Sequence, residues 1–161
     1  IPLSDDSIDV VYTSHSLEPN GGRELQGIAE LLRIARKAVV LVEPIYELAS
    51  EEAQRRMVEH GYVRNLKSMS QKLGAKITEY GLLKISSNEL NPSGVLLLEK
   101  PTDSTIIRKN GSIAWQCPLT RVELRKYKEF FHAQKMGIVY PILKNIPLLR
   151  AEHAVLASSI I

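Results

Sequence analysis

The sequence predicts an α/β fold, with parallel strands alternating with crossover helices, an antiparallel pair closing the sheet, and a small β-rich domain at the C-terminal end. Three observations predict it. Short β-branched runs at residues 8–12 (IDVVY) and 38–42 (AVVLV) alternate with segments whose apolar residues recur at three- and four-residue steps. Two further strand-like runs, 76–85 and 95–99, are joined by a polar, proline-containing loop long enough to return as an antiparallel pair. The charge then changes: residues 1–101 hold 12 Lys/Arg against 14 Asp/Glu, whereas residues 102–161 hold 9 against 4.

Each element has a local cause. Residues 8–12 follow the turn formers Ser4, Asp5, Asp6 and Ser7 and read as a strand buried on both faces, as parallel strands are. Pro19, Asn20, Gly21 and Gly22 make a loop. From Arg23, the residues Leu25, Ile28, Ala29, Leu32 and Ala35 share one helical face, and Arg33, Arg36 and Lys37 gather at the helix end where the dipole is negative. Residues 38–42 form a second buried strand, stopped by Glu43-Pro44. Ser50 caps a helix carrying Glu51 and Glu52 in its first turn; Gly61 interrupts it, and a second helical segment runs to Leu73 and closes on Gly74. Strands 76–85 and 95–99, separated by the loop 86–94, complete the first domain, residues 1–101. Four strands and two helices leave much apolar surface uncovered. The chain therefore reads as a piece of a larger fold, cut just ahead of a central strand whose neighbour is missing.

Composition limits the function classes. At 161 residues, 44% apolar and 24% charged, a packed core is expected. The longest apolar runs fall far short of the roughly 20 residues a membrane-crossing helix needs, and no basic-then-apolar leader opens the chain, so a cytoplasmic protein without membrane partners is expected. Cys117 stands alone, which excludes an internal disulfide, and with only four scattered histidines no metal is expected. The basic surplus after residue 101 reads first as solubilising surface and second as a nucleic-acid footprint.

The segment LSDDSIDVVYTSHSLEP, followed by an amphipathic helix and AVVLVEP, resembles the second half of a class I S-adenosylmethionine-dependent methyltransferase. Leu3, Asp6, Ser7, Asp9 and Val11 match the segment that leads into that family's fourth strand, with Ile8 in place of the usual phenylalanine. The resemblance covers about residues 1–100 and implies a partial Rossmann-like sheet, with S-adenosylmethionine as the cofactor of the parent enzyme. The family's glycine-rich loop and its ribose-holding acidic residue have no counterpart here, and Gly21-Gly22 follows the wrong strand to replace them. This chain alone is thus expected to bind cofactor poorly. What it would contribute is the far wall: Ser14, His15 and Leu17 beside the methionine end of the cofactor, and the loop after the second strand at the acceptor.

Methyl transfer depends chiefly on positioning, and a proton acceptor helps only where the attacking atom carries a proton. His15 and Glu18 are the catalytic candidates. His15 is either a base or substrate contact at the strand's end or a loop histidine bonded to backbone. Glu18 and Glu43 each precede a proline at the edge where such folds place their sites, and the competing reading is a solvent-facing carboxylate. Glu43, Tyr46, His60, Tyr62 and Arg64 are the substrate-binding candidates. The stretch EHGYVRN is an acceptor lid or an ordinary helix–helix joint, and the two tyrosines stack on a substrate or merely pack.

After a linker at residues 100–104, residues 102–161 form the second domain. WQCPLT, then Leu124, Phe130-Phe131, GIVYPILKNIPLL and AEHAV resemble the small zinc-ribbon-like domain of the tRNA and rRNA methyltransferase activator family and its bacterial relatives. Cys117, Pro118, Thr120, Leu124, Gly137, Tyr140, Pro141, Ile142, Ile146, Pro147, Leu149 and Ala154 fit; Thr120 stands where a second zinc cysteine would be, and Asn145 replaces a glycine. Independently of the family, Tyr140-Pro141 and Ile146-Pro147 stiffen two extended segments around a turn at residues 143–145, with Met136 and the paired phenylalanines as core. The family's module docks on a methyltransferase and stabilises it. Two functions follow: the acceptor side of a methyltransferase with a small-molecule or saccharide acceptor, or a non-catalytic module that partners one. A homo-oligomer or the missing N-terminal half is the protein partner expected, and RNA binding by the basic module is a third, less favoured reading.

Overall fold

The computed structural model describes residues 1–85, 88–100 and 113–157. Residues 101–104 of the expected linker and Ser86-Ser87 lie outside them. The chain forms two compact units, Ile8–Ile107 and, separately, Ile1–Ser7 with Arg108–Ile161. The first seven residues thus group with the C-terminal unit: Leu3 bridges to Trp115, and the Ser4 amide donates to the Ala114 carbonyl at 2.9 Å.

The larger unit is mixed α/β. Strands β1 (Ile8–Ser14), β2 (Ala35–Pro44), β3 (Lys76–Leu82) and β4 (Ser93–Glu99) form one sheet in the order β1-β2-β4-β3. β1 and β2 are parallel, joined by helix α1 (Glu24–Ile34), and β4 inserts antiparallel between β2 and β3. Helix α2 (Glu51–Glu59) starts where expected, with the Ser50 hydroxyl accepting the Ala53 amide at 3.3 Å. Helix α3 (Leu66–Lys72) ends before Gly74, whose φ of +79° a side chain would strain. One face of the sheet carries Val39, Leu41, Leu96 and Leu98, all buried under Ile28, Leu31, Leu32 and Leu66. Full burial of each such side chain contributes about 1.5–3 kcal/mol.

Several expectations are corrected. β1 is not buried on both faces: it lies at the sheet edge, Val10 is 51% and Tyr12 74% exposed, while Val11 and Thr13 turn inward. A β-branched run fits a covered or an open face equally well, so composition could not separate them. Helix α1 stops at Ile34, and Arg36 and Lys37 belong to β2, where Asp9 of β1 draws them in, at 2.6 and 3.8 Å. Leu25 is exposed rather than on the covered face. β3 ends at Leu82, because its partner Gly94 is already next to the first residue of β4.

The C-terminal unit is an antiparallel sheet of β5 (Arg125–Lys126), β6 (Phe130–Ala133), β7 (Ile138–Leu143), β8 (Ile146–Pro147) and β9 (Val155–Leu156). The turn between β7 and β8 places Lys144 and Asn145 at φ +46° and +65°, a pair of left-handed residues that suits a two-residue hairpin. Phe131, Tyr140, Cys117 and Leu149 form its core, while Met136, expected inside, is about half exposed and Phe130 only partly buried.

Candidate functional site

The site begins with how β1 ends. His15, the residue after the strand, has φ +48°, a left-handed conformation uncommon for a residue with a Cβ, although histidine is among those enriched there. Such strain persists only where the surroundings enforce it. The enforcing group is Glu43, at the end of β2. Its side chain is fully buried, with Oε1 accepting the Ser16 and Leu17 amides and Oε2 the Glu18 amide, each at 3.1 Å. One buried carboxylate therefore collects the amides of the turn after His15. The His15 amide itself donates to the Val42 carbonyl at 2.9 Å, and Leu17 packs on the apolar core.

This turn aims the His15 ring. Nδ1 lies 2.6 Å from Glu18 Oε2, and Nε2 lies 2.8 Å from Ser93 Oγ, at the start of β4. The other Glu18 oxygen, Oε1, accepts from Asn91 Nδ2 at 2.7 Å. An ionised carboxylate can only accept, so Nδ1 carries a proton; when the ring is neutral, Nε2 holds the lone pair that faces the serine hydroxyl. His15 is bonded through both ring nitrogens to side chains. Glu18 and His15 thus meet as a dyad at the carboxyl edge of the parallel pair, the edge where open α/β sheets place ligands. Ser14 is exposed beside them.

The remaining candidates form a second layer. Tyr46 opens a short 3₁₀ turn, Tyr46–Leu48, with the Arg64 guanidinium 6.0 Å from its ring centroid. His60 and Tyr62 stack at 5.6 Å, and Arg56 lies over the Tyr62 ring at 5.8 Å. The segment that carries them is stitched to the His15 turn: the Val63 amide donates to the Glu18 carbonyl at 3.0 Å and the Gly21 amide to the Gly61 carbonyl at 3.0 Å. Glu24 adds a third tie by accepting the Arg64 amide at 2.9 Å. Burial pushes the Glu24 carboxyl up, but the amides of Arg64, Glu24 and Gly22 and the Arg64 charge outweigh it, leaving the group below its ordinary 4.5.

Ser93 and Asn91 were not among the residues singled out from sequence. Their only signal was their place in a polar loop opposite the Glu43-Pro44 stop, and the Pro44–Ser93 register that makes them neighbours of His15 is visible only in the folded sheet. Among the described residues no group of three or more His, Cys, Asp or Glu is placed to hold a metal, and no helix is long and apolar enough to cross a membrane. No protein-family model, curated protein or solved structure matches the chain.

Proposed function

We propose that this chain supplies the acceptor side of an S-adenosylmethionine-dependent methyltransferase, together with a stabilising C-terminal module. The observation that carries the reading is the His15–Glu18 dyad at the carboxyl edge of two parallel strands, in a sheet closed by an antiparallel pair. S-adenosylmethionine, when bound, supplies an electrophilic methyl group. Of the residues on this chain, exposed Ser14 and the strained His15 turn are open to the methionine end, and Leu17 anchors the turn from within. His15 Nε2 would take the acceptor's proton and Glu18 would stabilise the imidazolium; Glu43 holds the turn rather than the ligand. Tyr46, Arg64, His60 and Tyr62 would border the acceptor from the segment tied to Glu18 and Glu24. The setting we infer is cytoplasmic, which a free buried cysteine suits.

The exposed edge of β1 favours a second reading, a non-catalytic module that partners a methyltransferase through a sheet margin carrying Val10 and Tyr12. The Rossmann-like and zinc-ribbon-like assignments belong to both proposals. Titration calorimetry with S-adenosylmethionine decides between them, using the 161-residue chain alone and the same chain joined to the sequence encoded upstream of it. Binding by the longer chain only supports the first reading; binding by neither supports the second.

A further inference from the structure

We propose that Ser93 and Asn91, contributed by the start of β4 and the loop before it, complete a four-residue proton relay with His15 and Glu18, and that its outer end serves a ligand bearing neutral hydroxyl groups, of saccharide type. The chain of contacts is continuous: Asn91 Nδ2 to Glu18 Oε1 at 2.7 Å, Glu18 Oε2 to His15 Nδ1 at 2.6 Å, and His15 Nε2 to Ser93 Oγ at 2.8 Å. The 2.7 and 2.8 Å distances lie in the range of good hydrogen bonds and the 2.6 Å contact is just shorter than it, and the two contacts at the ionised carboxylate are charge-assisted.

The direction of the relay follows from the donors. Asn91 donates to Glu18, which leaves one carboxylate oxygen for His15 and fixes the Nδ1–H tautomer. Nε2 is then an acceptor, and the Ser93 hydroxyl donates its one proton to it. The Ser93 oxygen keeps lone pairs, so what it can receive from outside is a hydroxyl or amine proton. When a ligand hydroxyl gives its proton to Ser93 Oγ, the proton already on Oγ passes to His15 Nε2. The electron pair of the broken O–H bond stays on the ligand oxygen, and the imidazolium is balanced by Glu18. A second observation bears on the ligand: the Asn91 Oδ1 oxygen is buried and has no hydrogen-bond partner. It stands two residues from Ser93 in sequence, and a second ligand hydroxyl would satisfy it. Two acceptors carried on one short segment suit a polyol better than an amine. Ser93 is a positioning and relay residue here rather than a covalent nucleophile. The inference rests on the methyltransferase reading only for the fate of the deprotonated ligand.

The test is ¹⁵N NMR of the His15 ring in the full chain. The neutral His15 ring is expected as the Nδ1–H tautomer. Ser93→Ala should move the Nε2 resonance towards that of a free lone pair without changing the tautomer, Ser93→Thr should restore it, and Glu18→Gln should shift population to the Nε2–H form. A wild-type Nε2–H tautomer, or ring shifts indifferent to Ser93→Ala in a variant whose backbone spectrum is native, overturns the relay. Methyl glucoside is the ligand probe and its per-O-methylated derivative the control. A shift at Nε2 with the first alone, lost in Ser93→Ala, supports the ligand class; an equal response to both, or no response to methyl glucoside, overturns it. Phenylmethylsulfonyl fluoride labelling of Ser93 that disappears in His15→Gln would make the serine a nucleophile and also overturn the relay. No arm contains a methyl donor, so failure here is distinct from failure of the calorimetric test above.

Discussion

The Glu43 carboxylate accepts the Leu17 amide at 3.1 Å from a side chain with no solvent exposure, and this bond is one of three by which the end of β2 shapes the turn that carries His15. Glu43→Gln keeps the shape and one accepting oxygen, but turns an NH₂ group towards a backbone donor. Losing charge-assisted bonds in a buried place should cost about 2–4 kcal/mol, since buried donors are left unpaired. Urea unfolding measures it. The same variant should relax the left-handed His15 and lengthen the His15–Glu18 contact, seen as faster exchange of the Ser16 to Glu18 amides.

Much of the sheet was legible because its signals are local. The run at 38–42, the Ser50 cap, the glycine stops and the Tyr140-Pro141 and Ile146-Pro147 segments each depend on neighbours a few residues away. His15 and Glu18 were legible for the same reason: they follow one strand at a separation of three. Their partners were not. Ser93 lies 78 residues from His15 and reaches it only because β4 inserts beside β2, a pairing that no periodicity announces. Glu43 was visible as an acidic residue at a strand end, but its inward orientation follows from the turn it binds rather than from its own neighbours.

Glu24 makes stability depend on pH. Its folded pKa lies below the ordinary 4.5, because backbone amides and Arg64 favour the charged form more than burial disfavours it. The stabilisation is therefore complete above about 4.5 and is lost as the pH falls through the lower folded value. Glu24→Gln should be less stable than the parent at neutral pH, with the gap closing in acid. Urea midpoints across that range check it; a gap independent of pH would leave the charge without a role.

Cys117 is the matching case in the C-terminal unit. Burial pushes its thiol up, but the Thr120 hydroxyl, the Tyr140 hydroxyl and the amides of Thr120 and Leu119 more than offset that, and the group sits below its ordinary 9.0. The Tyr140 hydroxyl, 3.2 Å from Sγ, is pushed up in turn by its burial and by the sulfur. Tyr140→Phe removes this 3.2 Å contact to Sγ without a large change of volume. It should raise the thiol pKa, read by ultraviolet thiolate absorbance, and cost about 1 kcal/mol. The cost should grow as pH rises through the folded thiol pKa towards 9.0, the interval in which only the folded form ionises.

Two glycines near the site should respond differently to the same substitution. A Cβ on Gly94 would lie 2.4 Å from Ile45 Cγ1 and 2.5 Å from the Gly81 carbonyl oxygen. The second neighbour is backbone of the adjacent strand and can move only by breaking the β3–β4 register, so Gly94→Ala should destabilise by about 1–3 kcal/mol or more. On Gly27, inside α1, the contact is the Leu17 Cδ2 methyl at 3.1 Å, the far end of a side chain that can turn away. The helix favours alanine there by about 0.5–1 kcal/mol, which offsets the crowding. Gly27→Ala should therefore leave the urea midpoint nearly unchanged while displacing Leu17, and with it the turn that holds His15; an altered His15 ring spectrum in a protein of parental stability is the expected result.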